Sequence, residues 1–261
     1  GNSADAALLL HYTFDNPADR LADTGTGTPA PLTAIGTNSF VTNTPSGTGT
    51  AYSNGAGSNA YLTTGTSGNP DTGTDPAKTD GLTQFTVTMW VNLQAAPTVN
   101  DRLISDWNTG LSEGFDLRIN GDTANNFQLG AVVDGVTVFS SANITTASNN
   151  WTFIAFTYDG NLTTLNALLY TGTASAATST LGSALTINAG PMANNTNDLQ
   201  IGGTAASTND RSPSAFFDDV RMYDTVLTLE ELEQIRLANI PEPAVAVLSL
   251  IGTLGFLRRR R

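Results

Sequence analysis

Cysteine is absent from the 261 residues. Disulfides, a thiolate nucleophile and thiolate-held metals are therefore excluded. Histidine occurs once, at His11, so a single chain cannot build a zinc site needing two or three imidazoles, and a serine triad would depend on that one residue. Lysine also occurs once, at Lys78. Charged residues make up only 13%, against about 25% in an ordinary soluble domain. Glutamate is confined to Glu113, Glu230, Glu231, Glu233 and Glu242.

Present instead are 40 threonines and 25 glycines, a composition of β-strands and turns rather than long helices. The formal net charge is −12. Leaving out the terminal Arg258–Arg261 and Glu242, residues 1–239 carry 7 basic and 22 acidic side chains, a net −15. Such a body repels nucleic acid and anionic membranes, and it suits an extracellular, calcium-containing setting. The chain begins at Gly1 rather than Met, as expected of a chain that is processed by removal of a signal peptide, trimmed or recombinant.

Three regions differ in composition. Residues 1–239 form a β-rich body long enough to bury a core without staples. Residues 240–243, Ile-Pro-Glu-Pro, make a rigid break, and residues 244–261 are an apolar run ending in arginines. Within the body, Gln84–Leu93 alternates most clearly: Phe85, Val87, Met89, Val91 and Leu93 fall on one face, and Thr86, Thr88 and Asn92 share the other with Trp90. Asp134-Gly135 between Phe127–Val133 and Val136–Phe139 marks a two-residue hairpin. Trp151–Tyr158 is apolar on both faces, as a central strand is. Leu8–Phe14, Leu103–Trp107, Phe115–Ile119, Leu165–Tyr170, Leu199–Ile201 and Phe216–Tyr223 bring the expectation to about twelve strands. Asp23–Thr83 reads as long surface loops or as two or three short strands. Thr228-Leu-Glu-Glu231 is a capping box opening one short helix, which Pro241 ends.

Seven segments in order resemble the laminin-G-like branch of the concanavalin A-like lectin/glucanase superfamily. They are Leu10–Asp15, Phe85–Val91, Leu103–Trp107, Gly114–Arg118, Trp151–Gly160, Leu199–Gly203 and Phe217–Tyr223. The resemblance spans roughly residues 8–238 and departs from the family pattern in the Thr/Gly-rich stretch between residues 23 and 80. It implies an all-β, concanavalin A-like jelly-roll sandwich of two antiparallel sheets. The tail resembles a PEP-CTERM sorting signal: Pro241, Glu242 and Pro243, then the apolar Ala244–Leu257, then Arg258, Arg259, Arg260 and Arg261. The resemblance implies an exosortase-type membrane enzyme as processing partner. Ala244–Leu257 as a helix would be about 21 Å long, short of a roughly 30 Å hydrocarbon core. Snorkelling arginines would let it engage the bilayer and would keep the cluster cytoplasmic. A buried C-terminal helix or a disordered basic end is the alternative.

The resemblance also directs attention to sites. Glucan-cleaving relatives alternate two Glu and an Asp on one strand, and retaining chemistry needs carboxyls about 5 Å apart. Glu113 with Asp116 is the only body pair nearby, and it reads as a turn entering a strand, so no catalytic residue is assigned. In relatives, an Asp two residues before the Val of the last-strand motif holds a structural calcium. Asp218 matches that position, with Asp15 and Asn16 as companions; pairing with Arg221 or capping of loop amides is the alternative. Asp218 is expected on one face with Phe216, Val220 and Met222, and Asp219 opposite with Phe217, Arg221 and Tyr223. An Asp219–Arg221 pair there would be an ordinary surface pair. Asp19, Asp23, Asp101, Asp106 and Asp210 read as solvated loop acids. Trp107 between Asp106 and Asn108 suits sugar stacking and hydrogen bonding, with a purely structural role as the alternative, and Tyr52 and Tyr61 stand equally open. Trp90 and Trp151 read as core, and His11 as a strand residue without chemistry. The whole describes an exported bacterial surface or matrix protein, sorted through its tail and binding polysaccharide or another surface protein. A structural matrix component with no small ligand and, behind it, a glycoside hydrolase are the rivals.

Overall fold

The computed structural model describes residues 6–55, 60–65, 76–106, 113–123, 126–145, 149–204 and 211–240. In chain order the strands are β1 (Leu8–Tyr12), β2 (Thr33–Ile35), β3 (Ser39–Val41), β4 (Ala51–Ser53), β5 (Tyr61–Thr63), β6 (Gln84–Leu93), β7 (Asp101–Ser105) and β8 (Phe115–Thr123). There follow β9 (Asn126–Val133), β10 (Val136–Phe139), β11 (Ile144–Thr145), β12 (Thr152–Asp159), β13 (Ala167–Thr173), β14 (Ser179–Thr180), β15 (Gln200–Ile201) and β16 (Ala215–Tyr223), then helix α1 (Leu229–Ala238). One sheet runs β14-β13-β12-β6-β16-β4-β3, with β1 also on β16. The other runs β10-β9-β8-β7-β15-β5-β2, with β11 on β9. Two antiparallel sheets packed face to face make the expected jelly-roll sandwich.

The alternation of β6 places its odd-numbered side chains between the sheets. Phe85, Val87, Met89, Val91 and Leu93 meet Leu103, Phe115, Leu117, Ile119 and Leu129 from the second sheet. Phe85 is the aromatic centre, with ring centroids 5.5 Å from Phe115, 5.6 Å from Phe156 and 5.5 Å from Tyr158. Each such side chain removed from water contributes roughly 1.5–3 kcal/mol. The opposite face of the first sheet is apolar too: Trp90, Phe153, Ala155, Tyr170 and Tyr223 pack under Leu227, Leu232 and Ile235 of the helical segment. This second layer explains why β12 is apolar on both faces. At the β9–β10 hairpin, Asp134 (φ 47°) and Gly135 (φ 79°) both lie in the left-handed region, as a type I′ turn requires.

Helix α1 starts at the capping box. Thr228 Oγ1 accepts from the Glu231 amide (3.3 Å), and Glu231 Oε2 accepts from the Thr228 amide (2.7 Å). Near its end Arg236, buried, donates through Nη1 to the Thr173 carbonyl (2.5 Å) and holds Glu233 (2.6 Å). Gly172 leaves room for this side chain, because a Cβ there would lie 2.8 Å from Arg236 Cδ.

Several expectations need correction. The stretch 23–83 contributes β2, β3, β4 and β5, so the described residues hold sixteen strands. Each of these strands is three residues long, too short to show periodicity. Tyr52 belongs to the core, stacked on Phe217 with centroids 5.8 Å apart. Asp23, Asp101 and Asp106 are buried rather than solvated. Their carboxylates accept hydrogen bonds from turns: Asp23 from the amides of His11 (3.0 Å), Gly25 (2.8 Å) and Ala30 (3.1 Å), Asp101 from the Thr98 amide (2.7 Å).

The phase of β16 also changes midway. Phe217, Val220 and Met222 all enter the inter-sheet core, whereas Phe216 packs on the outer layer. Register against β6 slips by one residue between Asp218↔Trp90 and Arg221↔Thr88. Asp219 sits in this bulge at φ 48°, and the extra residue reverses the alternation beyond it.

Candidate functional site

The bulge in β16 lies where two strands share one edge. β1 pairs with β16 at residues 220–223, and β4 pairs with it at 216–217. Asp218 falls between them. It stands opposite Trp90, and so on the outer face of the first sheet. Past β1 the chain turns through Phe14 (φ 58°), which brings Asp15 alongside. Asp15 Oδ1 accepts from the Thr50 amide (2.7 Å), and the Thr50 hydroxyl donates to the Phe14 carbonyl. Gly49 is close behind, where a Cβ would collide with the Asp15 carboxylate.

Asp218 is buried, and its carboxylate receives the amide of Asp219 (2.8 Å). No ion pair joins it to a base among the described residues. Burial first, then the charges of Asp219 and Asp15, push its carboxyl up from 3.8 to about 8. A hard divalent cation held by carboxylate and carbonyl oxygens answers such a site. Asp218 and Asp15 offer the carboxylate oxygens that calcium takes, although among the described residues no group of three or more acidic or imidazole side chains is placed to hold a metal. Beside Asp15, Asn16 Oδ1 accepts from the Ala18 amide (3.1 Å) and its carbonyl from the Asp19 amide (3.0 Å), which turns the loop.

Asp219 does the opposite work. Its Oδ1 meets His11 Nε2 at 2.8 Å and Arg221 Nη2 at 2.8 Å, and its Oδ2 accepts from Asn239 Nδ2 at 2.5 Å. His11 also contacts the Thr24 hydroxyl (3.1 Å). His11 is thus a strut between β1, the bulge and the residue that closes α1. The reading of Asp219–Arg221 as a simple surface pair missed this, because neither the bulge nor the approach of Asn239 is visible in a strand pattern.

A second polar cluster lies on the other sheet. Asp116 of β8 is fully buried between Arg102 of β7 (2.9 Å) and Arg118 of its own strand. Glu113 and Gly114 lead into that strand as a turn, with Gly114 at φ 86°. Asp106 closes the same corner: its Oδ1 accepts from the Phe115 amide (2.5 Å), and Asn195 Nδ2 lies 3.5 Å from its Oδ2. Trp107 and Asn108, expected beside it as sugar contacts, lie outside the described residues, as do Asp210, Pro241, Glu242, Pro243 and the apolar and arginine tail.

With this geometry in hand, comparison with known proteins is informative. The profile of Laminin_G_3, described as the concanavalin A-like lectin/glucanases superfamily, matches residues 56–233. No curated protein sequence matches the chain. Among solved structures, domain 4 of an extracellular GH43 arabinanase from Geobacillus stearothermophilus, in complex with arabinotriose, aligns over 89% of this chain and 100% of its own at 16% identity and a TM-score of 0.57. The receptor-binding domain of botulinum neurotoxin type G aligns over 89% of this chain at 15% identity and a TM-score of 0.54. The binding domain of Paraclostridial Mosquitocidal Protein 1 covers 88% at 12% identity and a TM-score of 0.57. The chain spans about half the length of these two toxin domains. At such identities the likeness is one of fold.

Proposed function

The chain belongs to the Laminin_G_3 family of the concanavalin A-like lectin/glucanases superfamily, and from that premise we propose that it is a non-catalytic carbohydrate-binding module, stabilised by calcium and displayed outside a bacterial cell. The observation that carries the reading is the alignment over the whole of an arabinanase domain whose structure holds arabinotriose. The toxin neighbours, one named a receptor-binding domain and the other a binding domain, support a binding role in general.

The way several of the carboxylates are held supports binding over hydrolysis. Hydrolysis needs one carboxyl free to give a proton and a second free to attack or to activate water. Asp116 is clamped by two guanidinium groups. Asp134 accepts from the Gly114 amide (3.0 Å) and the Ala193 amide (2.9 Å), one on each oxygen. Glu230, Glu231 and Glu233 belong to α1. Asp218 and Asp15 would hold the calcium, which would supply positive charge to the junction of β1, β4 and β16. A glycan microarray probed with the full chain tests the reading. Retention on plant, algal or bacterial polysaccharides is the expected result, and silence across all three classes would leave the matrix-scaffold rival standing.

Delivery is the other half of the proposal. The tail from Pro241 to Arg261 would anchor the chain transiently in the membrane, be read by an exosortase-type enzyme and release the body to the surface or matrix. Replacing Pro241, Glu242 and Pro243 by alanine is expected to leave the protein in the membrane fraction with its tail attached. Unchanged release would refute the sorting role.

A further inference from the structure

A cleft of about 620 Å³ opens at one end of the first sheet, between the loop after β3, the approach to β12 and the turn after β13. It is lined by Asn43, Pro45, Asn149, Asn150, Trp151 and Thr173, among others. That volume lies inside the roughly 300–1,000 Å³ of small-molecule sites. We propose that this cleft is a binding site for a neutral oligosaccharide, read by the carboxamides of Asn149 and Asn150 over a floor formed by the edge of Trp151 and Pro45. The assignment rests on the carbohydrate-binding reading above and gives it a location.

The chemistry of the lining carries the inference. Every described residue lining the cleft is uncharged, in a body of net charge −15. Carboxamides and hydroxyls offer both donors and acceptors, which match the hydroxyls of a sugar. Trp151 and Pro45, both largely buried, also line the cleft and are its apolar contacts for the C–H faces. Among the described residues no lining group offers the positive charge that a uronate, sulfate or phosphate would need, and the net negative charge of the body disfavours one.

The cleft is also held in shape. Trp151 is only 9% exposed, and its Nε1 donates to Asn43 Oδ1 (3.1 Å), so the floor is tied to one wall. Its ring lies 6.5 Å from that of Phe216. Asn149 adopts φ 62°, and its backbone is fixed on both sides: its amide donates to the Leu93 carbonyl (3.2 Å), and its carbonyl accepts from Asn92 Nδ2 (3.1 Å). The end of β6 therefore sets where the Asn149 side chain leaves the backbone. On the far wall, Thr173 Oγ1 accepts from the amides of Ser175 (3.3 Å) and Ala176 (2.9 Å). Meanwhile the side chains of Asn149 and Asn150 are exposed and make no hydrogen bond within the described residues. Ordered walls with available carboxamides lower the ordering cost of binding.

The test is titration of the full chain with neutral trisaccharides (arabinotriose, xylotriose, cellotriose) and with a trimer of galacturonic acid, followed by the indole and carboxamide N–H signals in NMR. Saturable shifts of the Trp151 Nε1–H and the Asn149 and Asn150 amides by at least one neutral trisaccharide, with the acidic trimer at least tenfold weaker, are expected. Asn149→Gly, which keeps the left-handed backbone, combined with Asn150→Ala should weaken that binding at least tenfold while leaving the melting temperature unchanged. Asn149→Asp, which also tolerates the backbone and brings a negative charge, should weaken it too. Binding that survives these variants within twofold, or that Trp107→Ala abolishes instead, would overturn the location and leave the carbohydrate-binding reading intact. Equal binding of the acidic trimer would overturn the ligand class. Saccharide binding absent from both this titration and the microarray would overturn the inference together with the reading on which it rests.

Discussion

Asp218 and Asp219 are adjacent carboxylates, both buried, with different surroundings. Asp219 lies among cationic and amide partners, whereas Asp218 faces another acid and its own successor's amide. The Asp218 carboxyl therefore binds its proton more tightly in the folded chain, its value rising from 3.8 to about 8. Without metal, the stability this group contributes is full below the ordinary aspartate value and is lost as pH climbs through about 8. Calcium competes with that proton, so the rise in melting temperature on adding calcium should grow across the same window. At a hundredfold excess over Kd the stabilisation is about 2.7 kcal/mol, or roughly 5–10 °C for a domain of this size. Asp218→Asn should abolish both the calcium shift and this pH dependence, as differential scanning calorimetry would read; an Asn variant that still responds to calcium would contradict the assignment. For Asp219, removing one member of a buried charge network costs roughly 3 kcal/mol. Asp219→Ala should show that loss in urea unfolding, with added backbone strain at φ 48°, and Asp219→Asn, which tolerates the left-handed region, should lose clearly less. Asp218 was singled out by its place before Val220 in the last-strand motif, and the structure shows that it is buried. The part played by Asp219 was not, because His11 is 208 residues away in sequence and strand periodicity carries no record of long-range partners.

Strands, hairpin and helix divide by how much of their definition is local. β6, the Asp134-Gly135 hairpin and the capping box of α1 were legible because alternation, left-handed turn residues and reciprocal caps are written within ten residues or fewer. Thr228→Ala should remove the cap at a cost of about 1 kcal/mol, measurable as a lower urea midpoint with an unchanged slope; no loss would mean that α1 is held by Arg236 and Leu232 alone. Three-residue strands such as β2 and β3 carry too few side chains to show a period, and they form because β4 and β5 offer edges to pair with. The bulge in β16 defeated the alternation reading for a related reason. One extra residue inverts the faces beyond it, and only the register against β6 reveals the insertion. Buried Asp23, Asp101 and Asp106 were read as solvated because an acid that accepts turn amides resembles a surface acid in sequence.

On the scale of the whole molecule, two sheets and a covering helix form a net-acidic scaffold whose polar features sit at strand ends and junctions. The sandwich class was legible from many short strands, few charges and no cysteine. The cleft beside Trp151 was not: among the described residues its walls come from Asn43 and Pro45, from Thr145 and residues 149–151, and from residues 173–175, which only the fold brings together, and Trp151 read on its own looks like core. No helix of the described residues is long and apolar enough to cross a membrane, and the apolar tail lies outside them. The central claim is that this scaffold binds neutral polysaccharide without cutting it. Native electrophoresis of the full chain through gels cast with neutral polysaccharides, with reducing ends assayed in the same mixtures, tests that claim most directly. Retarded migration with no release of reducing ends is the predicted result; release that grows with time and enzyme concentration, or mobility unchanged in every polysaccharide, would contradict it.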